Sequence, residues 1–538
     1  MTAVTPRALS VQVKGMPLPP SALTRLVGVR VSARLDQPGQ CELTFTADPG
    51  AGADPAMFPF GAALAVRLDD TTDDLFSGEV TAVEIEYAAD GAALLRVRAY
   101  DLLHRLRKHQ ELRVFESVTV ADLARELAGK AGLSVDAAPG SLSGEPPGVR
   151  SVDGPRIERL LQHRQTDLEL LVEVAGRAGL HLAVDGGTLR LITLDGYGVP
   201  VPLDLGSSLI GVRVEANLDQ AAGDSTALGW HPQRAELIEQ SAASARSGRK
   251  IPLRPDPGDV GADGTRTAVN QPGRSDDELA ALAQAWLDTR TAAWATATGT
   301  ADGDGRLRPG RRIAVGGVAE RFCGVYVLTE VVHTLDAAGQ LTRFSTVPPP
   351  VPAQSSAAVL TLGTVTDVDD PDRLGRVRID LPAYGGLDAG WLAVALPGAG
   401  RGKGIVALPD PADTVLVALP GGEPAAGIVL GSLFGAVEPY DAGINDGKAQ
   451  RWSMRTAYGQ KIVVDDGGRS LRLETEVGSY LELTPDLTTL HAATPMVLQA
   501  PGKAMVIRAR TVDFQHADAP EDPQAAADQA AAAAKQSG

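Results

Sequence analysis

Apolar and polar residues alternate with a period of two along most of this chain, the spacing of half-buried β-strands. The densest example is residues 359–435. There Val365 and Val368 stand before the turn Asp369-Asp370-Pro371-Asp372, and Val377 and Ile379 stand after it. Trp391 with Leu392 and Val394, Ile405 to Leu408, Val415 to Leu419 and Ile428 to Leu430 follow, with Gly375, Gly427 and Gly431 at strand starts and ends. Five or six short strands with no helical run between them predict a small closed barrel.

The same alternation fills residues 7–105, broken by Gly, Pro and Asp turns, and part of it recurs. Gly61-Ala-Ala-Leu-Ala-Val-Arg, Leu75-Phe-Ser-Gly-Glu-Val and Leu94-Leu-Arg-Val-Arg find counterparts in Pro309-Gly-Arg-Arg-Ile-Ala-Val, Arg321-Phe-Cys-Gly-Val-Tyr and Asp336 to Phe344. In each copy Phe-x-Gly opens a strand (Phe76 to Gly78, Phe322 to Gly324) and an Asp follows well beyond it (Asp90, Asp336). This repeat predicts two similar β-barrels. Between the copies the period changes to that of helices. Thr166-Asp-Leu-Glu169 is a capping box, followed by Leu168, Leu171, Val172 and Ala175 on one face and Gly179 as the stop. Ser275-Asp-Asp-Glu278 repeats the device before Leu279, Leu282, Ala283, Trp286 and Leu287, and residues 121–131 form a third helix with Leu123 and Leu127 inward. Residues 233–274 are polar and rich in Gly and Pro, and predict a long surface excursion.

Past the barrel, residues 459–515 alternate in very short runs: Leu471 and Leu473 about Arg472, Leu481 and Leu483 about Glu482, Val512 and Phe514 about Asp513. Gly459, Gly467-Gly468, Gly478, Pro485, Pro495 and Pro501-Gly502 punctuate them with a β-solenoid-like rhythm. No helix is available to cover the apolar side, and short strands leave unpaired edges. Wrapping three copies about one axis satisfies both needs. The alanine-rich residues 516–538 have no apolar face, and predict a disordered tail.

A chain of 538 residues with 44% hydrophobic content predicts several packed domains, and 4% aromatic content suits small β units. A net charge of −17 excludes nucleic acid as a partner, since no basic excess displaces counterions. Trp391, Tyr384 and Phe434 lie scattered among carboxylates and make no stacking platform for single strands. Cys41 and Cys323 form neither a disulfide framework nor a metal site, and both are expected to be buried thiols. The start MTAVTPRALSVQVKG has no apolar core of a signal peptide, and no run approaches the ~18 apolar residues of a membrane span. A soluble protein assembled in the cytoplasm is expected.

Asp370-Pro-Asp-Arg-Leu-Gly-Arg-Val377, Trp391, Pro397 to Gly400, Leu408-Pro409 and Gly427-Ile-Val-Leu-Gly-Ser-Leu433, in this order, resemble the oligonucleotide/oligosaccharide-binding (OB) type barrel of contractile-tail spikes. That group includes VgrG of type VI secretion, phage tail spikes and the spikes of extracellular contractile injection systems. Leu160 to Leu171, Ala178 to Leu182, Asp185 to Leu191 and Arg321 to His333 resemble the phage late-control D hub family. Together the resemblances imply a mainly β protein with some helix, organised as a hub (1–347), a proline-rich linker (348–358), an OB barrel (359–436), an intertwined trimeric β-helix needle (437–515) and the tail (516–538). They imply a homotrimer whose two barrels per chain present a pseudo-sixfold ring to a hexameric inner tube. Baseplate proteins and a PAAR-like tip at the needle end are the further implied partners, and the target membrane is met only by puncture. The short tail and the lack of an effector-sized extension favour a phage-derived or extracellular particle over a type VI apparatus.

Candidate chemistry is sparse. His163 and Asp167 stand at i and i+4, and His163 and His181 flank a helix, but no third ligand is visible; His231 reads as a turn residue. Asp302-Gly-Asp-Gly and Asp367-Val-Asp-Asp-Pro-Asp lack the calcium-loop pattern with its terminal Glu and read as hairpin turns. Gly398 to Gly404 is glycine-rich and basic without Walker spacing, so it reads as a barrel loop. Arg472, Glu474 and Glu482 read as a solvated face. The interval from Val437 to Ser453 is too short for the lysozyme domain that some phage spikes insert there. No catalytic, cofactor-binding or metal site is assigned. A spike with cell-wall hydrolase activity and a tail fibre or adhesin are the competing readings.

Overall fold

The computed structural model describes residues 9–46, 54–68, 74–89, 92–137, 153–231, 236–254, 256–260, 264–271, 275–351 and 357–515. The tail, Asp90 and linker residues 352–356 therefore lie outside the described residues. The chain forms two compact units, Met1–Leu433 and Phe434–Gly538.

In the first unit the two repeats share one 11-stranded sheet. Its strands, in spatial order, are Leu209–Ala216, Ala295–Asp302, Gly339–Ser345, Glu330–Asp336, Leu26–Arg34, Gln40–Thr46, Ala93–Tyr100, Asp74–Tyr87, Ala63–Leu68, Leu9–Val13 and Met16–Pro17. Antiparallel pairing of Val332 with Ser32 joins the halves, yet each packs its own core. Leu43, Phe45, Val66, Leu95 and Val97 anchor one core; Leu209, Ala297, Ile313, Tyr326 and Phe344 anchor the other.

The repeat is written in the pairing. The first part of Asp74–Tyr87 pairs with Ala63–Leu68 and the second with Ala93–Tyr100. In the second copy that long strand is split. Gly324–Val327 pairs with Arg311–Gly316, and Glu330–Asp336 pairs with Gly339–Ser345. One detail differs from expectation: Phe76 lies inside its strand, whereas Phe322 ends a 3-10 turn and Gly324 opens the next strand.

The helices start at their caps. Asp167–Arg177 begins at the Thr166–Glu169 capping box, and Asp276–Ala293 begins where Ser275 Oγ accepts from Glu278 N at 3.2 Å. Val120–Lys130 has a capping box of its own, Thr119 with Asp122. It buries Leu123 and Leu127 against Leu171, Ala175, Leu182 and Leu189. Residues 233–274 are not a plain excursion. Glu236–Ala242 and Thr265–Gln271 flank Asp224–His231 in a three-stranded sheet. Ala227, Ala242 and Ile238 of that sheet pack on Leu279, Leu282 and Leu287 of the helix 276–293. Each flanking strand has only one covered face and its other residues are mostly polar, Leu237 and Val269 excepted, so the stretch resembles a loop.

The barrel is closed, in the order Val359–Asp367, Val377–Leu381, Leu387–Val394, Ile428–Leu433, Thr414–Leu419. Val365, Val377, Ile379, Leu392, Val415, Val417 and Val429 fill it. Ile405 to Leu408 is not a strand: Ile405 and Val406 are exposed. Closure by the parallel pair Ala393–Ile428 leaves no edge for them, and Pro409 and Pro411 lack the amide a ladder needs.

The second unit is one layer. Arg451–Arg455, Lys461–Asp465, Ser470–Glu474, Tyr480–Leu483 and Thr488–His491 form an antiparallel meander. Within one chain the expected solenoid rhythm is thus a succession of hairpins, with the breakers Gly459, Gly467-Gly468, Gly478 and Pro485 in the turns. Residues 492–515 contain no strand, including the expected pair Val512 and Phe514. No residue from Ile444 to Gln515 is buried.

Candidate functional site

The residues singled out for chemistry are engaged in structure. His163 Nδ1 lies 3.4 Å from the Leu161 carbonyl and its ring packs tilted against Tyr384, centroids 5.3 Å apart. Asp167 turns elsewhere, accepting from Gln162 Nε2 at 2.8 Å and pairing with Arg113. His181 pairs with Asp36 at 2.8 Å, whose other oxygen accepts from Leu182 N at 2.8 Å. His231 ends a strand rather than sitting in a turn. Among the described residues no group of three or more His, Cys, Asp or Glu could hold a metal ion.

Of the two aspartate runs expected as hairpin turns, Asp367–Asp372 joins the paired strands Val359–Asp367 and Val377–Leu381, whereas Asp302–Gly305 begins a loop between strands of different sheets. Asp304 binds Arg306. Asp370 accepts from the amides of Asp372, Leu374 and Arg376 and binds the Arg376 guanidinium. The Arg376 side chain holds the Asp370 carboxyl down at about 2, against the opposing effect of burial. The loop 398–404 is pinned by Gly400 and Lys403, which exchange backbone hydrogen bonds. Cys41 is buried, and burial pushes its thiol up. Cys323 is only half-buried, its Sγ donating to the Val318 carbonyl at 3.4 Å, because it sits where a 3-10 turn leaves the sheet.

Two buried groups escaped the sequence reading. Asp101 accepts from Gly39 N at 2.7 Å and Leu103 N at 3.0 Å, and burial raises its carboxyl to about 7. His333 contacts Thr342 Oγ1 at 3.0 Å and the Leu307 carbonyl at 3.1 Å, and burial lowers it to about 4. Both tie loops to the hub sheet. The only sequence signal was Asp101 standing as a cap before Leu102–Arg107.

The outstanding surface is the meander of the second unit. Cross-strand neighbours Trp452–Val464, Met454–Ile462, Val464–Leu471, Ile462–Leu473, Leu471–Leu483, Leu473–Leu481 and Leu481–Leu490 place nine apolar side chains on one face. Trp452 is 56% exposed and Leu490 60%. The opposite face is polar apart from Val463. There Arg472 binds Glu474 at 3.1 Å and Glu482 at 3.5 Å, with its guanidinium 3.9 Å over Tyr480. Lys461 reaches Glu474 at 3.4 Å, and Tyr480 stacks on His491 at 5.0 Å. Monomeric soluble proteins rarely leave so continuous an apolar face open. Such a face can bind another apolar face.

Residues 32–339, more than half of the chain, match the family model of the phage tail baseplate hub (GPD), and this chain belongs to that family. Residues 361–434 match a second model, the type VI secretion system/phage-baseplate injector OB domain. The chain is therefore a baseplate hub protein of the phage-tail and type VI-like kind with an injector OB barrel. Among solved structures, the 43 kDa tail protein of prophage MuSo2 from Shewanella oneidensis is 17% identical over 64% of this chain and 99% of its own, with a TM-score of 0.47. The E. coli c3393 protein, a component of the type VI secretion system, is 15% identical over 79% of this chain and 99% of its own, with a TM-score of 0.48. The Francisella PdpA–VgrG complex is 10% identical over 91% of this chain and 79% of its own, with a TM-score of 0.48. No curated protein matches the chain.

Proposed function

We propose that three copies of this chain form the central spike of a contractile injection system, with hub and needle on one polypeptide. The observation behind this reading is the uncovered apolar face from Trp452 to Leu490. Three such faces turned to a common axis cover one another, each side chain gaining roughly 1–2 kcal/mol. The same assembly offers pairing to residues 492–515, where Val497, Leu498, Val506 and Ile507 are exposed. A closed three-sided β prism is stiff along its axis, as a piercing tip must be.

The hub supports the other half of the reading. Each chain repeats one pairing scheme twice, so three chains present six similar β units to a hexameric inner tube. On sheath contraction the tube drives the trimer into the target envelope. The work is mechanical rather than enzymatic. The particle assembles in the cytoplasm with baseplate proteins, and a PAAR-like tip seats on the needle end. Light scattering on the purified full chain should return three chain masses, and mixing with tube rings should give a co-eluting complex. A single-copy species with an ordered C-terminal unit would overturn the proposal.

A further inference from the structure

The barrel meets the hub through residues distant in sequence from the linker that joins them. The hub's strands Arg113–Val118 and Ile157–Gln162 form a two-stranded ribbon, and Leu161 of this ribbon is buried with Leu387 and Ala425 of the barrel. Beside this cluster Arg159 reaches across. Its Nη2 donates to the Asp388 carbonyl at 2.8 Å and lies 2.9 Å from Asp388 Oδ2, while Nη1 binds the hub's own Glu116 at 2.7 Å. Asp388 is pre-set from the barrel side by Arg378 Nη2 at 2.6 Å and Gly390 N at 2.8 Å. Arg164 Nη2 donates to Tyr384 Oη at 2.9 Å at the margin.

Two glycines show how close the approach is. A Cβ on Gly385 would lie 2.3 Å from Leu112 Cδ1, and one on Gly390 would lie 3.1 Å from Arg159 Nε. Both have left-handed backbones, φ 71° and 84°, that only glycine adopts freely.

We propose that Arg159 is the positioning residue that keys the barrel onto the hub, and that axial load crosses this contact while the proline-rich residues 348–358 serve as a tether. The load-bearing part rests on the spike reading above; the keyed contact does not. Arg159 suits the task because its planar fork holds a carboxylate on each side of the joint, which a lysine cannot do.

The test uses the full chain with a protease site placed within residues 352–356 and cut after folding. The cut wild type should elute as one species at raised ionic strength. Cut Arg159→Ala should separate into hub and barrel fragments, and Arg159→Lys should stay together at low salt and part at high salt. In the uncut Arg159→Ala protein, amides of residues 387–394 should exchange about tenfold faster while the hub helices 120–130 and 167–177 keep their protection. Separation of the cut wild type, or an Arg159→Ala protein that stays joined with unchanged exchange, would overturn the proposal. Copy number measured on the uncut protein reports on the trimer separately, so failure of one reading is not mistaken for failure of the other.

Discussion

The barrel and the C-terminal meander are both sheets of five short strands with period-two alternation, yet one makes its own core and the other makes none. The barrel strands carry register shifts at Val365/Asp367, Ile379/Asp380 and Leu416/Val417, and the ladder closes through the parallel pair Ala393–Ile428. The meander pairs residue for residue through all four hairpins with no shift. Bulges bend and coil a sheet so that it can meet itself, and a ladder without them stays open. Closure makes an apolar face private to the chain; an open ladder leaves it uncovered.

The largest effect should separate the two regions outright. Val417→Asp buries a carboxylate in the closed barrel and should cost more than about 4 kcal/mol, abolishing the barrel's folding transition. Leu473→Asp, on the open face, should leave the hub and barrel melting unchanged while light scattering shows the proposed trimer lost. If Leu473→Asp keeps the assembled mass, the contrast between the two sheets fails.

Next is the ion pair of the barrel. Arg376→Ala leaves the buried Asp370 carboxylate without its cation and should cost roughly 3 kcal/mol in chemical denaturation. The Asp370 pKa lies below its unfolded value, so its stabilisation is complete above about pH 4 and is lost as pH falls toward about 2. Asp370→Asn should flatten that part of the acid-stability curve.

Glycines sharpen the comparison at smaller cost. Gly363 in the barrel would place a Cβ 2.5 Å from Ile379 Cγ2, so Gly363→Ala should lower stability by about 2 kcal/mol. Gly478, in a meander turn with φ 87° and open space around it, should cost about 1 kcal/mol as Gly478→Ala. Both are measured from denaturant midpoints. Smallest of all, Arg472→Ala on the polar face should change stability by under about 1 kcal/mol, because its ion pairs are partly solvated.

Much of this architecture was readable from local signals. The Thr166 and Ser275 caps marked helix starts, and Gly459 and Gly478 marked meander turns, since a cap or a left-handed turn needs only its own few residues. The misreadings share a cause. Glu236–Ala242 and Thr265–Gln271 looked like loop because each has a single covered face, and Ile405 to Leu408 looked like strand because nothing local reveals that no edge awaits it.

By itself, then, the order of residues determined where most strands, turns and helix starts fall, and that the last strands carry one apolar face. Only the tertiary structure decided which sheet closes, that two repeats fuse through residues 330–336 and 26–34, and that Asp388 answers to Arg159 from far along the chain. Alternation fixes which side of a strand is apolar. Register, bulges and distant partners decide what that side meets, and they depend on groups brought together only when the chain has folded.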